Sequence, residues 1–170
     1  ELKTDPGLVA TYGLHAFMQF TDSGDIRSRY AAIRMADWLI DNLVRWQGSF
    51  FAWLVDYEVP FYGIKAPWIS AKTHGLAVSL LLRIAYMNND ARYEEAAQKA
   101  IRVFFLPVAE GGISHRFPDG SLAFEEFPTT NPTLTLSGYL FSLIGLWEYQ
   151  TYFQDHMIET IVQNSLMGLR

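Results

Sequence analysis

The sequence repeats itself at an interval of 62 or 63 residues, and this repeat limits the folds that the chain can form. Its clearest landmark is a glycine followed by an apolar residue, found at Gly13, Gly75 and Gly138. Two further landmarks recur 63 residues apart: Tyr30 with Tyr93, and Gly48 with Gly111. We therefore predict three similar units, at roughly residues 5–67, 68–131 and 132–170, within a single domain covering residues 1–170.

Each unit shows the pattern of two helices followed by a short pair of strands. Asp5 followed by Pro6 is typical of a helix start. The aspartate side chain caps the helix, and the N–H that proline lacks would have no partner in the first turn. Turn residues at 118–120 separate two alternating runs, which predicts a hairpin of strands 113–117 and 122–127. The predicted helices cover residues 6–20, 26–46, 71–87, 91–105, 132–153 and 155–169.

The two helices of a unit differ in character. The first is apolar nearly all round, as at 76–84 and 140–147, which predicts a helix surrounded by protein. The second carries one apolar stripe opposite charged residues, which predicts an outer helix. Alternating inner and outer helices indicate an all-α chain with short β-hairpins, arranged as an incomplete α/α toroid of about three helix pairs. Such an arc implies a fragment, a homodimer or an open layer, and a fragment is the favoured interpretation.

Composition excludes several classes of protein. Half of the 170 residues are hydrophobic and 18% are charged, so the chain can bury a core. The net charge is −5 without a dense basic run, which argues against nucleic-acid binding. There is no cysteine and the four histidines are scattered, so we expect no metal and no cofactor. The longest apolar run, 134–147, is too short for a membrane span of ~20 residues. No targeting signal is visible, so the compartment stays open.

Aromatic residues make up 15% of the chain, and four of them cluster in the first connection. Each either fills the core or offers a flat face to a sugar ring, and we expect at least one to be exposed. The four residues are Trp53, Tyr57, Tyr62 and Trp68.

Three segments together resemble a known family. They are the stretch from Pro67-Trp68 to Tyr86, the run Glu125-Glu126-Phe127-Pro128, and the segment from Ser137-Gly138 to Leu146. Their order and spacing resemble the C-terminal domain of the D-glucuronyl C5-epimerases. The resemblance implies an (α/α) toroid acting on a uronic-acid polysaccharide of the heparan sulfate type. It also implies conversion of D-glucuronate to L-iduronate by removal and return of the proton at C-5.

The resemblance also implies a catalytic residue and marks departures from the family. Glu126 occupies the position of the family's catalytic glutamate, whereas Phe127 replaces the catalytic tyrosine that follows it. A phenyl ring carries no exchangeable proton, so whether the chain is an active isomerase is left open. His74 stands where relatives have glutamine, and we predict that it supplies the missing acid–base group or binds a hydroxyl.

The remaining candidates are predicted to bind substrate. Arg116 or His115, which alternate along a strand, could reach a substrate carboxylate, as could Lys72. Of the neighbours Glu125 and Glu126, at most one points into a cleft, because strand neighbours face opposite ways. The predicted substrate-binding residues are Arg116, His115, Glu125, Lys72, Trp68, Tyr62, Trp53 and Ser137.

Two other functions remain open from the sequence. A uronyl hydrolase or lyase on the same fold would need a second carboxylate facing Glu126, and Asp56, Glu58 and Glu110 are the available partners. A domain that binds a polysaccharide without turnover, or serves as a scaffold, would fit the loss of the tyrosine at Phe127.

Overall fold

The computed structural model describes residues 4–168 and shows six helices in this range, arranged as three successive pairs. Helix content dominates and the strands are short, which confirms the prediction of an all-α fold with short hairpins. The helices are α1 (Pro6–Ser23), α2 (Ile26–Asp41), α3 (Ala71–Asn88), α4 (Ala91–Ile101), α5 (Leu136–Phe153) and α6 (His156–Met167).

Two antiparallel strand pairs connect one helix pair to the next, as the sequence predicts. Strands β1 (Val44–Trp46) and β2 (Phe50–Ala52) lie between α2 and α3. Strands β3 (Ser114–Arg116) and β4 (Leu122–Phe124) lie between α4 and α5. Short 3₁₀ turns complete these connections at Pro60–Tyr62, Arg102–Phe105 and Val108–Glu110.

Side-chain caps explain where the helices begin. The carboxylate of Asp5 accepts hydrogen bonds from the amides of Gly7 and Leu8, which would otherwise lack partners at the first turn of α1. Asp155 caps α6 in the same way.

The helices form an inner row and an outer row. Helix α3 packs between α1 and α5 and is the most buried element, with every residue from 73 to 82 buried. Helices α2, α4 and α6 lie outside, each packed on its partner. In α4 only the stripe formed by Tyr93, Ala96, Ala97, Ala100 and Ile101 is buried, since its other face meets solvent.

Glycine allows α3 and α5 to approach closely. A Cβ on Gly75 would lie 2.2 Å from the carbonyl oxygen of Phe141, and one on Gly145 would lie 2.4 Å from the carbonyl oxygen of Gly75. Only glycine permits this distance between the two backbones. The contact sets the first turns of α3 against the middle of α5.

One face of α5 differs from the prediction. The helix is not surrounded by protein among the described residues, because Leu140 and Ile144 are exposed and Trp147 is 57% exposed. Its opposite face, with Leu143 and Leu146, is buried. The apolar residues all round α5 therefore led to a wrong prediction, because only one side of the helix contacts the rest of the described chain.

Several predicted bounds were also wrong. Helix α2 ends at Asp41 instead of continuing to Trp46, because 44–46 pair with β2. Helix α5 begins at Leu136 instead of residue 132, because Thr133 and Leu134 turn their amides toward the carboxylate of Glu125. The predicted end of α6 at Leu169 lies outside the described residues.

Within residues 4–168, none of the helices has both the length and the apolar character that crossing a membrane requires.

Candidate functional site

The two connections between helix pairs meet at the start of α3. The indole of Trp46 donates to the carbonyl oxygen of Gly111 at 2.7 Å. The amide of Ala71 donates to the carbonyl oxygen of Glu125 at 3.0 Å. The rings of Tyr62 and Phe127 stack with centroids 4.5 Å apart. Segments far apart in sequence thus form one surface.

A cavity of about 210 Å³ opens between this surface and the start of α1. A second cavity, of about 400 Å³, lies beside it and shares the wall formed by Trp68. We call the first the Glu126 cavity. It is lined by Asp5, Gly7, Leu8, Thr11, Val55, Tyr57, Trp68, Ser70, Lys72, Thr73, Leu76, Glu126 and Phe127.

Three side chains hold the carboxylate of Glu126. The ammonium of Lys72 lies 3.1 Å from Oε1. The hydroxyls of Thr135 and Ser137 donate to Oε2 at 3.1 and 2.7 Å. The side chain of Glu126 is 14% exposed and that of Lys72 is 34% exposed, so the ion pair can be reached from the cavity. The structure therefore brings together three of the predicted residues: Glu126, Lys72 and Ser137.

The glycine at the start of α5 makes this arrangement possible. A Cβ on Gly138 would lie 2.4 Å from the Cβ of Glu126, so any larger residue would push the glutamate away. The landmark glycine of the third unit thus sets the position of the carboxylate.

Glu125 points away from the Glu126 cavity, which agrees with the expectation that at most one of the two glutamates faces a cleft. It is fully buried, and its carboxylate accepts from the amides of Thr133 and Leu134 and from the Thr133 hydroxyl. These bonds shape the loop before α5. Glu125 therefore has a structural position, and the prediction that it contacts substrate is corrected.

His74 also lies in the core, away from the lining of the Glu126 cavity. Its ring is fully buried, with Nδ1 2.8 Å from the carbonyl oxygen of Ser70 and Nε2 accepting from the amide of Trp53 at 3.3 Å. Burial lowers the pKa of His74 to about 4, because the cation loses its hydration there. Both ring nitrogens are bonded to backbone groups, so His74 has a structural position. The prediction that it supplies an acid–base group or binds a hydroxyl is corrected.

Of the aromatic residues predicted to contact sugar rings, some lie in the core and others line the two cavities. Trp53 is fully buried and its indole donates to the carbonyl oxygen of Leu39 at 2.7 Å, so its ring cannot meet a ligand on a surface. Trp68 is largely buried but forms part of both cavity walls. Tyr62 is half-buried and lines the larger cavity.

The two strand residues predicted to bind a carboxylate lie elsewhere. The guanidinium of Arg116 is exposed on β3 and lines a separate cavity beside α6. The ring of His115 lies 3.2 Å from the carbonyl oxygen of Thr129, next to the larger cavity. Neither lines the Glu126 cavity.

Tyr57 is a component of the cavity that the sequence offered only as a possible platform. Its hydroxyl donates to Oδ2 of Asp5 at 2.7 Å. Burial, reinforced by this bond to a carboxylate, raises the pKa of Tyr57 to about 12. No spacing rule relates residues 52 positions apart, so the pairing could not be read from the sequence.

The chemistry of the site rests on these ionisable groups. None of the carboxylates considered as partners for a hydrolase, Asp56, Glu58 and Glu110, lines the Glu126 cavity in the described part of the chain. The same residues contain no group of three side chains arranged to hold a metal ion. The cavity offers the two carboxylates of Asp5 and Glu126, an ammonium and a phenol, which suit proton transfer beside an anionic substrate.

Comparison of the sequence with known proteins identifies relatives of this chain. The chain is 36% identical to the D-glucuronyl C5-epimerase of Caenorhabditis elegans over 123 residues, which are 70% of this chain and 19% of that protein. It is 25% identical over 104 residues to an uncharacterised protein of Methanocaldococcus jannaschii, covering 59% of this chain and 34% of that protein. The chain thus spans only a minor part of either relative's length.

A family model described as the D-glucuronyl C5-epimerase C-terminus matches residues 47–170, which include Glu126, Lys72 and Tyr57. Because that match covers well over half of the sequence, the chain belongs to the family of D-glucuronyl C5-epimerase C-terminal domains.

Proposed function

We propose that this domain carries out epimerisation at C-5 of uronic acid residues in a polysaccharide, interconverting D-glucuronate and L-iduronate. The observation that supports this most directly is the carboxylate of Glu126, held by Lys72 and two hydroxyls at the wall of an open cavity. A polysaccharide that contains D-glucuronyl residues is the substrate class that the family description and the relative's name suggest, and within that class we propose a heparan-type chain.

The reaction explains why a carboxylate and a cation should lie together. The hydrogen at C-5 is next to the carboxylate of the sugar, so its removal leaves a second negative charge spread over that carboxylate. A positioned base must take the proton, and positive charge must stabilise the charge that develops. Glu126 is the base, and the ammonium of Lys72, 3.1 Å from Oε1, lies where a substrate carboxylate beside Glu126 would meet it.

The remaining contacts orient the base and the sugar. Thr135 and Ser137 bind Oε2 and so leave the orientation of the carboxylate fixed when Lys72 turns toward the substrate. Trp68, shared by both cavities, is the surface along which the neighbouring sugar of the chain passes. The inner and outer rows of helices support an arc of an α/α toroid, and the homodimer stays a prediction.

The experiment is solvent-deuterium incorporation at C-5 of a heparosan oligosaccharide. We expect incorporation with the unaltered protein, and a fall of about 10²- to 10⁴-fold in Glu126→Gln, which keeps the shape but cannot accept the proton. Glu58→Gln, an exposed glutamate outside the cavity, is the matched control and should incorporate deuterium at the normal rate. No incorporation by the unaltered protein would reject epimerisation.

Phe127 favours a second candidate, a domain that binds the polysaccharide without turnover. Its ring, stacked on Tyr62 and tilted against Trp68, stands in the cavity wall without an exchangeable proton. This function predicts that heparosan binds equally well to the unaltered protein and to Glu126→Gln, with no isotope exchange in either. Equilibrium binding measured on the same two samples separates the candidates.

A further inference from the structure

We propose that Tyr57, held in place by Asp5, is the second proton-transfer residue of the Glu126 cavity and returns the proton that inversion at C-5 requires. This inference rests on the function proposed above. It assigns a catalytic role to a side chain outside the segments that suggested the family, and it provides an exchangeable proton in a cavity where Phe127 has none.

Inversion requires two groups, because the proton leaves one face of the sugar ring and returns to the other. Four ionisable side chains line the cavity among residues 4–168: Asp5, Tyr57, Lys72 and Glu126. Asp5 is occupied, since one oxygen caps α1 and the other accepts from Tyr57. Lys72 is paired with Glu126 and is needed beside the substrate carboxylate. Tyr57 is then the remaining donor.

Contacts at the hydroxyl, at the ring and at the backbone carbonyl hold Tyr57 in place. The Tyr57 hydroxyl lies 2.7 Å from Oδ2 of Asp5, whose position is set by the first turn of α1. The edge of its ring meets Trp68 at 90°, with centroids 5.9 Å apart, and the indole of Trp68 donates to the Tyr57 carbonyl oxygen at 2.7 Å. Tyr57 is 46% exposed, so these contacts restrain the phenol while leaving it open to a substrate.

The protonation state suits donation. Because burial and the neighbouring carboxylates of Asp5 and Glu126 raise its pKa to about 12, Tyr57 keeps its proton at neutral pH. Starting from D-glucuronate, an oxygen of Glu126 accepts the C-5 proton while the electron pair of the C–H bond moves into the sugar carboxylate. The Tyr57 O–H bond then breaks and its proton forms the new bond at C-5. Water returns a proton to the phenolate and removes one from Glu126, so no other reactant is consumed.

The test separates isotope exchange from inversion in Tyr57→Phe, using heparosan oligosaccharide in deuterium oxide. Glu126 can still remove and return the proton on its own face. We therefore expect deuterium to enter D-glucuronate with retained configuration at no less than a tenth of the normal rate. L-Iduronate formation should fall about 10²- to 10⁴-fold. Tyr86→Phe, an exposed tyrosine on α3, is the matched control and should leave both rates unchanged.

A second variant tests the pairing with Asp5. Asp5→Asn keeps a capping side chain at the start of α1 but removes the negative charge beside the phenol. We expect the alkaline limb of the pH profile for inversion to move to lower pH, since the pKa of Tyr57 falls when that charge is removed. A purely structural contact would leave the pH profile in place.

The outcomes distinguish this inference from the proposed function. Normal inversion by Tyr57→Phe, or equal losses of exchange and inversion, would overturn the role of Tyr57 while leaving epimerisation by the domain intact. Absence of exchange in the unaltered protein would reject the proposed function, and the role of Tyr57 with it. Circular dichroism of each variant confirms that the compared samples are folded.

Discussion

At the scale of single residues, the buried ring of His74 links stability to pH. Burial lowers its pKa in the folded protein to about 4, whereas the unfolded chain has the ordinary value near 6.5. Below pH 6.5 the unfolded state therefore binds more protons than the native state, and stability falls as the pH drops toward 4. The loss from this one group is on the order of 3 kcal/mol in the free energy of unfolding.

The measurement is urea unfolding of the unaltered protein and of His74→Gln at pH 7 and at pH 4.5. Glutamine does not titrate, so the variant should lack this part of the loss, whatever its stability at pH 7. His156→Gln, at a histidine exposed on α6, should keep the full loss. An equal decline in His74→Gln would show that the ring gains its proton without opposing the fold.

At the scale of the elements, the contact between α3 and α5 connects stability to the site. Ala in place of Gly145 gains about 1 kcal/mol of helix propensity, but its Cβ would lie 2.4 Å from the carbonyl oxygen of Gly75. Backbone cannot yield as a side chain does, so we expect a net loss of about 1 to 3 kcal/mol in unfolding free energy. Separating the helices also moves Ser137 away from Glu126.

Thermal or urea unfolding checks this prediction, with Thr151→Ala on the exposed side of the same helix as control. The control should change the unfolding free energy by less than about 0.5 kcal/mol. A Gly145→Ala protein as stable as the original would mean that the two backbones can separate at no cost.

The same elements show how far the sequence could be interpreted. Helix pairs and hairpins followed from periodicity and turn residues, because these signals are local. The predicted end of α2 was wrong since Val44 and Trp46 continue its apolar pattern, and only their pairing with β2 reveals their place in a strand. The contact between the helices at Gly75 and Gly145 has no local signal either.

The site shows the same limit. Glu126 was found through the resemblance, and Lys72 as a cation that could reach a substrate carboxylate. His74 and Trp53 were predicted at the site but lie in the core, because the sequence does not say whether a polar ring meets a cavity or a backbone group. The role of Tyr57 depends on Asp5, and their contact exists only once α1 packs beside the first connection.

At the scale of the whole molecule, the two connections behave as one layer across the ends of three helix pairs. Their contacts join the first connection to the second through Tyr62 and Phe127, through Trp46 and Gly111, and through Trp68, which shapes both cavities. The Glu126 cavity exists only while this layer is intact, because its walls come from α1, α3 and both connections. Binding and stability should therefore respond together when the layer is weakened.

A double-mutant cycle on Tyr62→Leu and Phe127→Leu measures this coupling. Stacked rings 4.5 Å apart should show an interaction energy of about 0.5 to 1.5 kcal/mol in unfolding free energy. Phe61, which is exposed beside Tyr62, provides the control: Phe61→Leu should show no coupling with Phe127→Leu beyond about 0.3 kcal/mol. If the Tyr62 cycle also closes to zero, this stacking does not couple the two connections, and only the remaining contacts, through Trp46 and Gly111 and through Trp68 and Phe127, would join them.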